Sequence, residues 1–338
     1  MKNATLCYIE QDGKYLMLLR NKKTDDPNEG KWIGVGGKVE PGETVEECAR
    51  REILEETGLT VGELTPWGDV YFHSDVWEDE VMHLFLAGGT DGELSGCDEG
   101  ELHWIDKDKV FYLRLWDGDR VFLKYLILGV KFDRMDLEYR GDTLCRCVVD
   151  GTEEELFDVY RENGEQAGMV ASRDFVHWKG LWHRTVHIWL TGKDAEGNTA
   201  LLIQLRAAGK RLYPSHWDIS AAGHIPAGEI SVEGALRELE EELGVHAAPD
   251  DLRFAGTLIM TYDDDIDQGY HDREFCDVYL LDCRMDESEF TLQESEVEKV
   301  MWMDFDGLYD AVVSDSIKHC LFTRELDFIR PLVKGELF

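Results

Sequence analysis

Short runs in which apolar and polar residues alternate recur along this chain, and this two-residue period predicts β-strands. The runs come in the same order in both halves: two strands early, two in the middle, and a last strand that carries a tryptophan. They cover residues 5–10, 14–20, 69–72, 81–88 and 101–106 in the first half and residues 183–192, 199–206, 258–262, 275–282 and 299–304 in the second.

Helix start and stop signals mark one segment in each half. Thr44 and Glu47 fit a capping box, and Gly58 stands where a left-handed residue ends a helix, so we predict a helix between them. Ser231 and Gly244 bracket a second helix in the same way. A further helical segment closes each half, and strands mixed with helices in this manner predict an α/β fold.

One longer pattern occurs twice. Residues 37–59 and 223–245 both fit G-x5-E-x7-R-E-U-x-E-E-x-G-U, where U is apolar, at every fixed position. The two copies lie 186 residues apart, which is far longer than the period of a repeat solenoid. We therefore predict two domains of one kind, over residues 1–149 and 150–338.

The predicted boundary follows from an extra hairpin at the end of the first domain. Residues 130–149 form two alternating runs, and Gly141 marks the turn between them. Residues 152–168 then predict a short helix and a strand that open the second domain.

Composition agrees with two domains and limits the partners. The chain has 338 residues, 43% of them hydrophobic, and 35 basic against 71 acidic side chains give a formal net charge of −36. Such a surface repels phosphodiester backbones and anionic lipids, so we expect no nucleic acid polymer and no membrane as partner. Small phosphorylated ligands would need local basic side chains or metal ions.

Cysteine usage and the N-terminal residues predict a cytoplasmic protein. The eight cysteines contain no Cys-x-x-Cys pair, and the chain opens on strand-like runs rather than on a cleavable leader. No apolar run approaches the roughly 18 residues of a membrane span. The oligomeric state stays open.

The repeated pattern concentrates carboxylates on one face of each predicted helix. Glutamates at i, i+3 and i+4 repel one another by a few tenths of a kcal/mol per pair, so the arrangement favours a compensating cation. Oxygen ligands without cysteine indicate Mg²⁺ or Mn²⁺. The alternative for any single helix of this kind is a solvated face paired with arginines, and two complete copies count against it. The two sets are Glu52, Glu55 and Glu56, and Glu238, Glu241 and Glu242.

On these residues both halves resemble Nudix hydrolases. The defining motif of that family, the Nudix box, is the pattern repeated at residues 37–59 and 223–245. The resemblance implies two α/β/α sandwiches, each with a mixed β-sheet and a loop-helix-loop box, and Mg²⁺-dependent hydrolysis of a nucleoside diphosphate linked to another group. It also implies that the glycine at the start of each box, Gly37 or Gly223, turns its carbonyl to the metal, and that the box glutamates hold metal or orient water, with Glu52 and Glu238 catalytic.

The first half is most similar to MutT-type enzymes that hydrolyse oxidised purine nucleoside triphosphates. The similarity rests on residues 30–43, 98–104 and 113–119. It implies that Glu99 is a further catalytic and metal-binding carboxylate. It assigns substrate contacts to Lys23 at the phosphates, Trp116 stacked on the base, and Asp117 and Asp119 as acceptors for purine N–H groups. One departure is Ile33, since animal enzymes of this group carry an asparagine there.

The second half is similar instead to the branch that includes isopentenyl-diphosphate isomerase and related hydrolases. Ala222 occupies the place of the isomerase's catalytic cysteine, so hydrolysis is favoured over isomerisation. His187 and His224 match isomerase metal ligands, with a structural role as the alternative. The resemblance further implies phosphate contacts from Arg206 and Lys210 and a catalytic carboxylate just before the last strand, at Glu296, with Glu294 as the alternative. The acidic run 263–267 is dense enough in carboxylates to bind metal, and we interpret it instead as a mobile acidic loop.

Together these features predict a tandem Nudix diphosphatase. The first domain would hydrolyse nucleoside triphosphates, with oxidised purine nucleotides as candidates, to the monophosphate and pyrophosphate. The second would cleave a different nucleoside-diphosphate-type substrate. Two alternatives stay open: the second domain is an isoprenoid diphosphate isomerase, or one box is a non-catalytic ligand sensor.

Overall fold

The structure is a computed structural model that describes residues 1–23, 26–194, 197–263 and 270–335. Most of the acidic run 263–267 therefore lies outside the described residues. The chain divides into two compact units. Unit 1 comprises Met1–Leu156 and Met169–Phe175, and unit 2 comprises Phe157–Gly168 and Val176–Phe338. The predicted boundary after residue 149 stays a prediction, and unit 1 continues a few residues beyond it.

Unit 1 contains one mixed sheet and two helices. Its strands are β1 (Lys2–Gln11), β2 (Lys14–Arg20), β3 (Trp32–Ile33), β4 (Thr60–Ser74), β5 (Glu80–Asp91), β6 (Gly100–Asp106), β7 (Arg134–Arg140), β8 (Thr143–Val149) and β9 (Thr152–Glu153). Its helices are α1 (Val45–Thr57) and α2 (Asp117–Leu128), with a short 3-10 turn at Val110–Tyr112.

The strand order in unit 1 is β3-β2-β1-β5-β4-β7-β8-β9, and β6 also pairs with β2. β1 runs parallel to β5 and β4 parallel to β7, while the other pairs are antiparallel. Because strand side chains alternate between faces, β1 serves two cores. Cys7 and Ile9 pack with Ile53 of α1, whereas Tyr8 lies 5.9 Å from Phe122 of α2 on the other face. The sheet is thus sandwiched between helices.

The predicted hairpin over residues 130–149 is confirmed as β7 and β8 with Gly141 in the turn. The predicted helix-then-strand order over residues 152–168 is wrong. Strands β10 (Leu156–Tyr160) and β11 (Gln166–Ser172) form a two-stranded sheet, and helix α3 (Arg173–Lys179) follows them. Residues 161–164 include an Asn-Gly pair that favours a hairpin turn over a helix.

Unit 2 repeats the central plan. Its strands are β12 (His183–Lys193), β13 (Thr199–Arg206), β14 (Trp217–Asp218), β15 (Ala221–His224), β16 (Leu252–Asp263), β17 (His271–Asp282) and β18 (Val297–Asp304). Its helices are α4 (Ser231–Leu243), α5 (Phe305–Val313) and α6 (Thr323–Lys334), with 3-10 turns at Pro249–Asp251 and Glu287–Glu289.

The strand order in unit 2 is β14-β13-β12-β17-β16, with β15 paired to β12 and β18 to β13. The β12–β17 pair is parallel, so this sheet is also mixed. Val186 and Ile188 pack with Leu239 of α4, while Trp189 packs with Phe305 of α5 on the opposite face. The predicted α/β fold with two sandwiched sheets is confirmed.

Both box helices are present, but their first turns differ. Thr44 and Glu47 make the predicted capping box of α1, and Gly58 ends it at φ 73°. Ser231 does not cap α4: it is the first helical residue, and its hydroxyl hydrogen-bonds the Tyr279 hydroxyl at 2.8 Å. Gly244 ends α4 in the left-handed conformation as predicted. Within the described residues, no helix is both long and apolar enough to cross a bilayer.

Candidate active sites

The first box carboxylate of unit 1 lies against a glycine that leads into the box. A Cβ atom on Gly37 would come within 2.7 Å of both carboxylate oxygens of Glu52. The Gly37 carbonyl accepts a 2.9 Å hydrogen bond from the Thr5 amide and longer ones from the Thr5 hydroxyl at 3.5 Å and the Cys48 thiol at 3.6 Å. A glycine, which has no side chain, leaves room for the Glu52 carboxylate to approach the backbone this closely.

Arg51 organises the exposed side of the same cluster. Its guanidinium donates to Glu43 at 2.8 Å, to Glu52 at 2.7 Å and to Glu55 at 3.2 Å. Glu55 is the most exposed of these carboxylates. One arginine therefore fixes the orientation of three acidic side chains through charge-assisted hydrogen bonds.

Glu56 lies deeper. It accepts a 2.9 Å hydrogen bond from the Gly36 amide and is buried. Burial raises the pKa of Glu56 to about 7, although the Gly36 amide opposes the shift. Since burial penalises the charged form, this carboxylate requires a cation in order to be ionised at little cost.

Unit 2 reproduces the contacts of the box glutamates. A Cβ on Gly223 would lie within 2.6 Å of both oxygens of Glu238. Arg237 donates to Glu238 at 2.6 Å and to Glu241 at 3.3 Å. Glu242 is buried and accepts from the Ala222 amide at 3.3 Å and from Gln204 at 3.2 Å. Burial, reinforced by the Glu238 charge, raises the pKa of Glu242 to about 8.

The late carboxylates are each paired with a lysine. Glu99, just before β6, forms ion pairs with Lys23 and Arg20. Glu296, just before β18, forms an ion pair with Lys210. The structure thus brings a predicted phosphate-binding lysine and a predicted catalytic glutamate together in each unit. Glu294 is exposed, and the described residues supply it with no hydrogen bond.

The predicted base-binding residues of unit 1 gather at the start of α2. Trp116 packs against Phe72 and Tyr139, and the Lys31 ammonium lies 3.6 Å from the centre of its ring. Its indole Nε1 donates a 2.7 Å hydrogen bond to Oδ1 of Asn28. Sequence reasoning missed Asn28 and Lys31, which carry no signal because they lie in a loop far from Trp116 in the chain.

Two predicted substrate acids differ in their surroundings. Asp119 is 5% exposed, and burial raises the pKa of its carboxyl to about 8. Asp117 is used internally, since it accepts from Arg120 at 2.7 Å and from the Val170 amide at 3.1 Å. Arg206 in unit 2 is likewise engaged, at 2.8 Å from Asp218. Asp117 is therefore held by contacts within unit 1, and Asp119 is buried in it.

A second group of metal-ligand side chains lies in unit 2, and one of its members, His224, is the second residue of the box. Ring nitrogens of His177, His183 and His224 lie within 4.8 Å of one another, as do ligand atoms of His183, Asp272 and Glu274. His224 was a predicted candidate. His187 instead bonds Glu325 at 2.9 Å. The alternation of side chains along β12 places His183 on the same face as His187. The sequence pattern could therefore have indicated His183 as a candidate metal ligand as well.

Both boxes fit a divalent cation by their donor sets. Each brings a carboxylate close to a glycine that has no side chain in its way, and the side-chain donors in both are hard oxygens. These are ligands preferred by Mg²⁺ and Mn²⁺. Burial raises the pKa of Glu56 and of Glu242, so a cation beside either carboxyl would favour its ionised form.

Comparison with known proteins points to one family. The model of the NUDIX domain matches residues 2–126 and 181–319. Nudix hydrolase 3 of Arabidopsis thaliana is 40% identical over 156 residues, which cover 45% of this chain but 20% of that protein. The matched segment thus spans about one fifth of the plant relative's length.

Two further relatives are covered over most of their length. The oxidized purine nucleoside triphosphate hydrolase of Danio rerio is 37% identical over 133 residues, covering 39% of this chain and 83% of that protein. The crystal structure of a MutT protein from Bacillus halodurans is 27% identical, with a TM-score of 0.41, and covers 44% of this chain and 98% of that one.

Proposed function

We propose that this chain, which belongs to the Nudix hydrolase family, is a divalent-metal-dependent diphosphatase with one catalytic site in each half. The domain model that matches both halves shows the family, whose members act on pyrophosphate bonds. The observation that carries the two-site proposal is the recurrence of the full cluster: glycine, arginine, box carboxylates, and a late carboxylate paired with lysine.

The residues of each cluster have separable tasks. Mg²⁺ or Mn²⁺ held by the box glutamates, the glycine carbonyl and the late glutamate would neutralise the diphosphate and activate water. Arg51 and Arg237 keep the first box carboxylate, Glu52 or Glu238, against the glycine. The Gly36 and Ala222 amides orient the deeper carboxylates, as described above. Lys23 and Lys210 supply the positive charge that a phosphate requires in this acidic chain.

For unit 1 we propose nucleoside triphosphates as substrates, with oxidised purine nucleotides as candidates. The similarity of this half to the oxidized purine nucleoside triphosphate hydrolase of Danio rerio supports this class. Trp116 and Asp119 lie at the start of α2, and the Asn28 side-chain oxygen accepts a hydrogen bond from the Trp116 indole. With a pKa of about 8 the Asp119 carboxyl is largely protonated at neutral pH, so it both donates and accepts. Asn28 supplies an amide that Ile33 lacks.

For unit 2 we propose hydrolysis of a second nucleoside-diphosphate-type substrate. The isomerase alternative needs an acid at the position of Ala222, whose methyl group supplies none. The ligand-sensor alternative is opposed by the complete carboxylate set in each box. The three histidines favour an additional metal centre in this unit, and neutral imidazoles suit Zn²⁺, for which Co²⁺ is a spectroscopic probe.

Cytoplasmic location stays a prediction, supported by the eight cysteines, all of which are free thiols in the structure.

Single substitutions in the two boxes test the proposal. Glu56→Gln and Glu242→Gln, made separately, are expected to abolish Mg²⁺-dependent phosphate release from different substrates in a panel of nucleoside and isoprenoid diphosphates. Isopentenyl diphosphate, followed by product NMR, tests the isomerase alternative directly. If neither variant changes any turnover, the two-site proposal fails.

A further inference from the structure

The same ion pair occurs at the same topological place in both units. Lys23 follows the end of β2, and its partner Glu99 precedes β6, which pairs with β2. Lys210 follows the end of β13, and its partner Glu296 precedes β18, which pairs with β13. Two independent copies of one chain segment thus place an ammonium on the late carboxylate.

Each lysine also acts on the deepest box carboxylate. Burial raises the pKa of Glu56, and Lys23 is among the charges that oppose the rise. Burial likewise raises the pKa of Glu242, and Lys210 opposes it. Each lysine therefore contacts the late carboxylate and lies near enough to the box for its charge to act on the deepest box carboxylate.

Lysine suits a temporary contact at this position. The Lys23 side chain is 51% exposed, and four rotatable bonds let its head group move several ångströms. The diphosphate of a substrate offers oxygens of higher charge density than one carboxylate. The ammonium cannot neutralise Glu99 and a phosphate at full strength at the same time.

We propose that Lys23 and Lys210 are exchangeable counter-ions that alternate between the late glutamate and the substrate diphosphate. Without substrate, the lysine neutralises the late glutamate and competes with the divalent cation for it. When a diphosphate binds, the lysine moves to the phosphate oxygens and releases the glutamate to the cation. This inference deepens the proposed function and rests on it, since it requires a metal and a diphosphate at each box.

The exchange makes metal and diphosphate binding cooperative. By linkage, whatever factor the diphosphate adds to metal affinity, the metal adds to diphosphate affinity. The strength of this cooperativity should differ between the two units. Glu99 keeps Arg20 as a second cation, whereas Arg206 is turned to Asp218 and leaves Glu296 with Lys210. Loss of the lysine should therefore have the larger effect in unit 2.

Mn²⁺ titrations of the full chain, followed by electron paramagnetic resonance of free Mn²⁺, test the exchange without any turnover. Lys23→Met is made in a Glu242→Gln background and Lys210→Met in a Glu56→Gln background. In each case the box next to the tested lysine then dominates Mn²⁺ binding. Titrations are run with and without methylenediphosphonate, a non-hydrolysable diphosphate. Thermal unfolding checks that each variant is folded.

We expect either lysine variant to bind Mn²⁺ more tightly when no diphosphate is present, by roughly two- to fivefold for a partly exposed ion pair. With methylenediphosphonate this gain should vanish. The ratio of the variant's Mn²⁺ affinity to that of the protein with the lysine intact should then fall toward one. Control variants Lys109→Met and Lys334→Met, which remove ion pairs to Asp106 and Asp306, should leave the ratio unchanged.

A plain electrostatic effect gives a different result. Removal of one positive charge would then raise Mn²⁺ affinity equally with and without diphosphate, and an unchanged ratio overturns the exchange. Unchanged or weaker Mn²⁺ binding without diphosphate overturns it as well. Because these readouts do not depend on hydrolysis, failure of the exchange is distinguishable from failure of the substrate panel described above.

Discussion

The indole of Trp116 donates its hydrogen bond to the side-chain oxygen of Asn28, 2.7 Å away. The Asn28 backbone is itself fixed, because its amide bonds Asp26 and its carbonyl accepts from the Lys31 amide. This arrangement leaves the Asn28 amino group as a donor beside the aromatic ring. The Asn28 amino group can therefore donate a hydrogen bond to a base, which the apolar side chain of Ile33 cannot do.

Asn28→Leu should weaken nucleotide binding in unit 1. Loss of one hydrogen-bond donor and of the Trp116 anchor is worth roughly 0.5–1.5 kcal/mol, so we expect KM for a purine nucleoside triphosphate to rise up to about tenfold with little change in kcat. Steady-state kinetics measure both constants. Asn21→Leu, which removes an exposed bond to Glu101, is the matched control. An unchanged KM in Asn28→Leu contradicts a role in base binding.

Gly37→Ala and Gly223→Ala should each lower the metal affinity of one box. The new methyl group would overlap the Glu52 or Glu238 carboxylate and force it away from the glycine. Displaced ligands of this kind lower metal affinity about 10–100-fold. Mn²⁺ titration of each variant measures the loss. Gly62→Ala is the control, since its Cβ would meet its nearest neighbour at 3.4 Å and tolerate the change. Retained affinity in Gly37→Ala would mean that metal binds elsewhere.

Stabilisation by Mg²⁺ should increase with pH. The raised pKa values of Glu56 and Glu242 mean that the stability they contribute is fully present below about 4.5 and is lost as pH rises through about 7 and about 8, respectively. For Glu56 the loss is on the order of 3 kcal/mol. Because the cation binds the ionised carboxylates, it offsets this loss.

Thermal unfolding with and without MgCl₂ at pH 6 and pH 8.5 checks this expectation. The Mg²⁺-dependent rise in Tm should be larger at the higher pH, and the Glu56→Gln, Glu242→Gln double variant should lose most of that difference. A rise in Tm that is equal at both pH values would show that these buried carboxylates do not control metal binding.

The histidine cluster of unit 2 should bind Co²⁺ without the help of the box carboxylates. His183→Asn and, separately, His177→Gln should each remove one Co²⁺ per chain and its visible absorption, while Glu242→Gln should retain that signal. The exposed His246 provides a control in His246→Asn. If the histidine variants keep the same Co²⁺ stoichiometry, the cluster is structural.

Several site features follow from short-range sequence patterns. The capping box of α1 requires only residues three positions apart, and the terminal glycines of α1 and α4 follow from left-handed geometry. The convergence of box glutamates follows from helical spacing in the same way. Ser231 shows the limit of such rules, because a partner on a distant strand, Tyr279, takes its hydroxyl away from the capping position.

Other features depend on strand pairing between distant residues. The pairing of β2 with β6 brings Glu99 to Lys23, and that of β12 with β17 sets Glu274 beside His183. Neither contact has a local signal, since the partners are separated by many residues.

The sequence by itself therefore determined the two-domain repeat, the α/β fold and the carboxylate clusters, because periodicity and helix geometry act within a few residues. Only the tertiary structure decided which groups meet the clusters: the lysines on the late glutamates, the Asn28 anchor and the three histidines. Those contacts are set by sheet order and register, which local residue patterns do not encode.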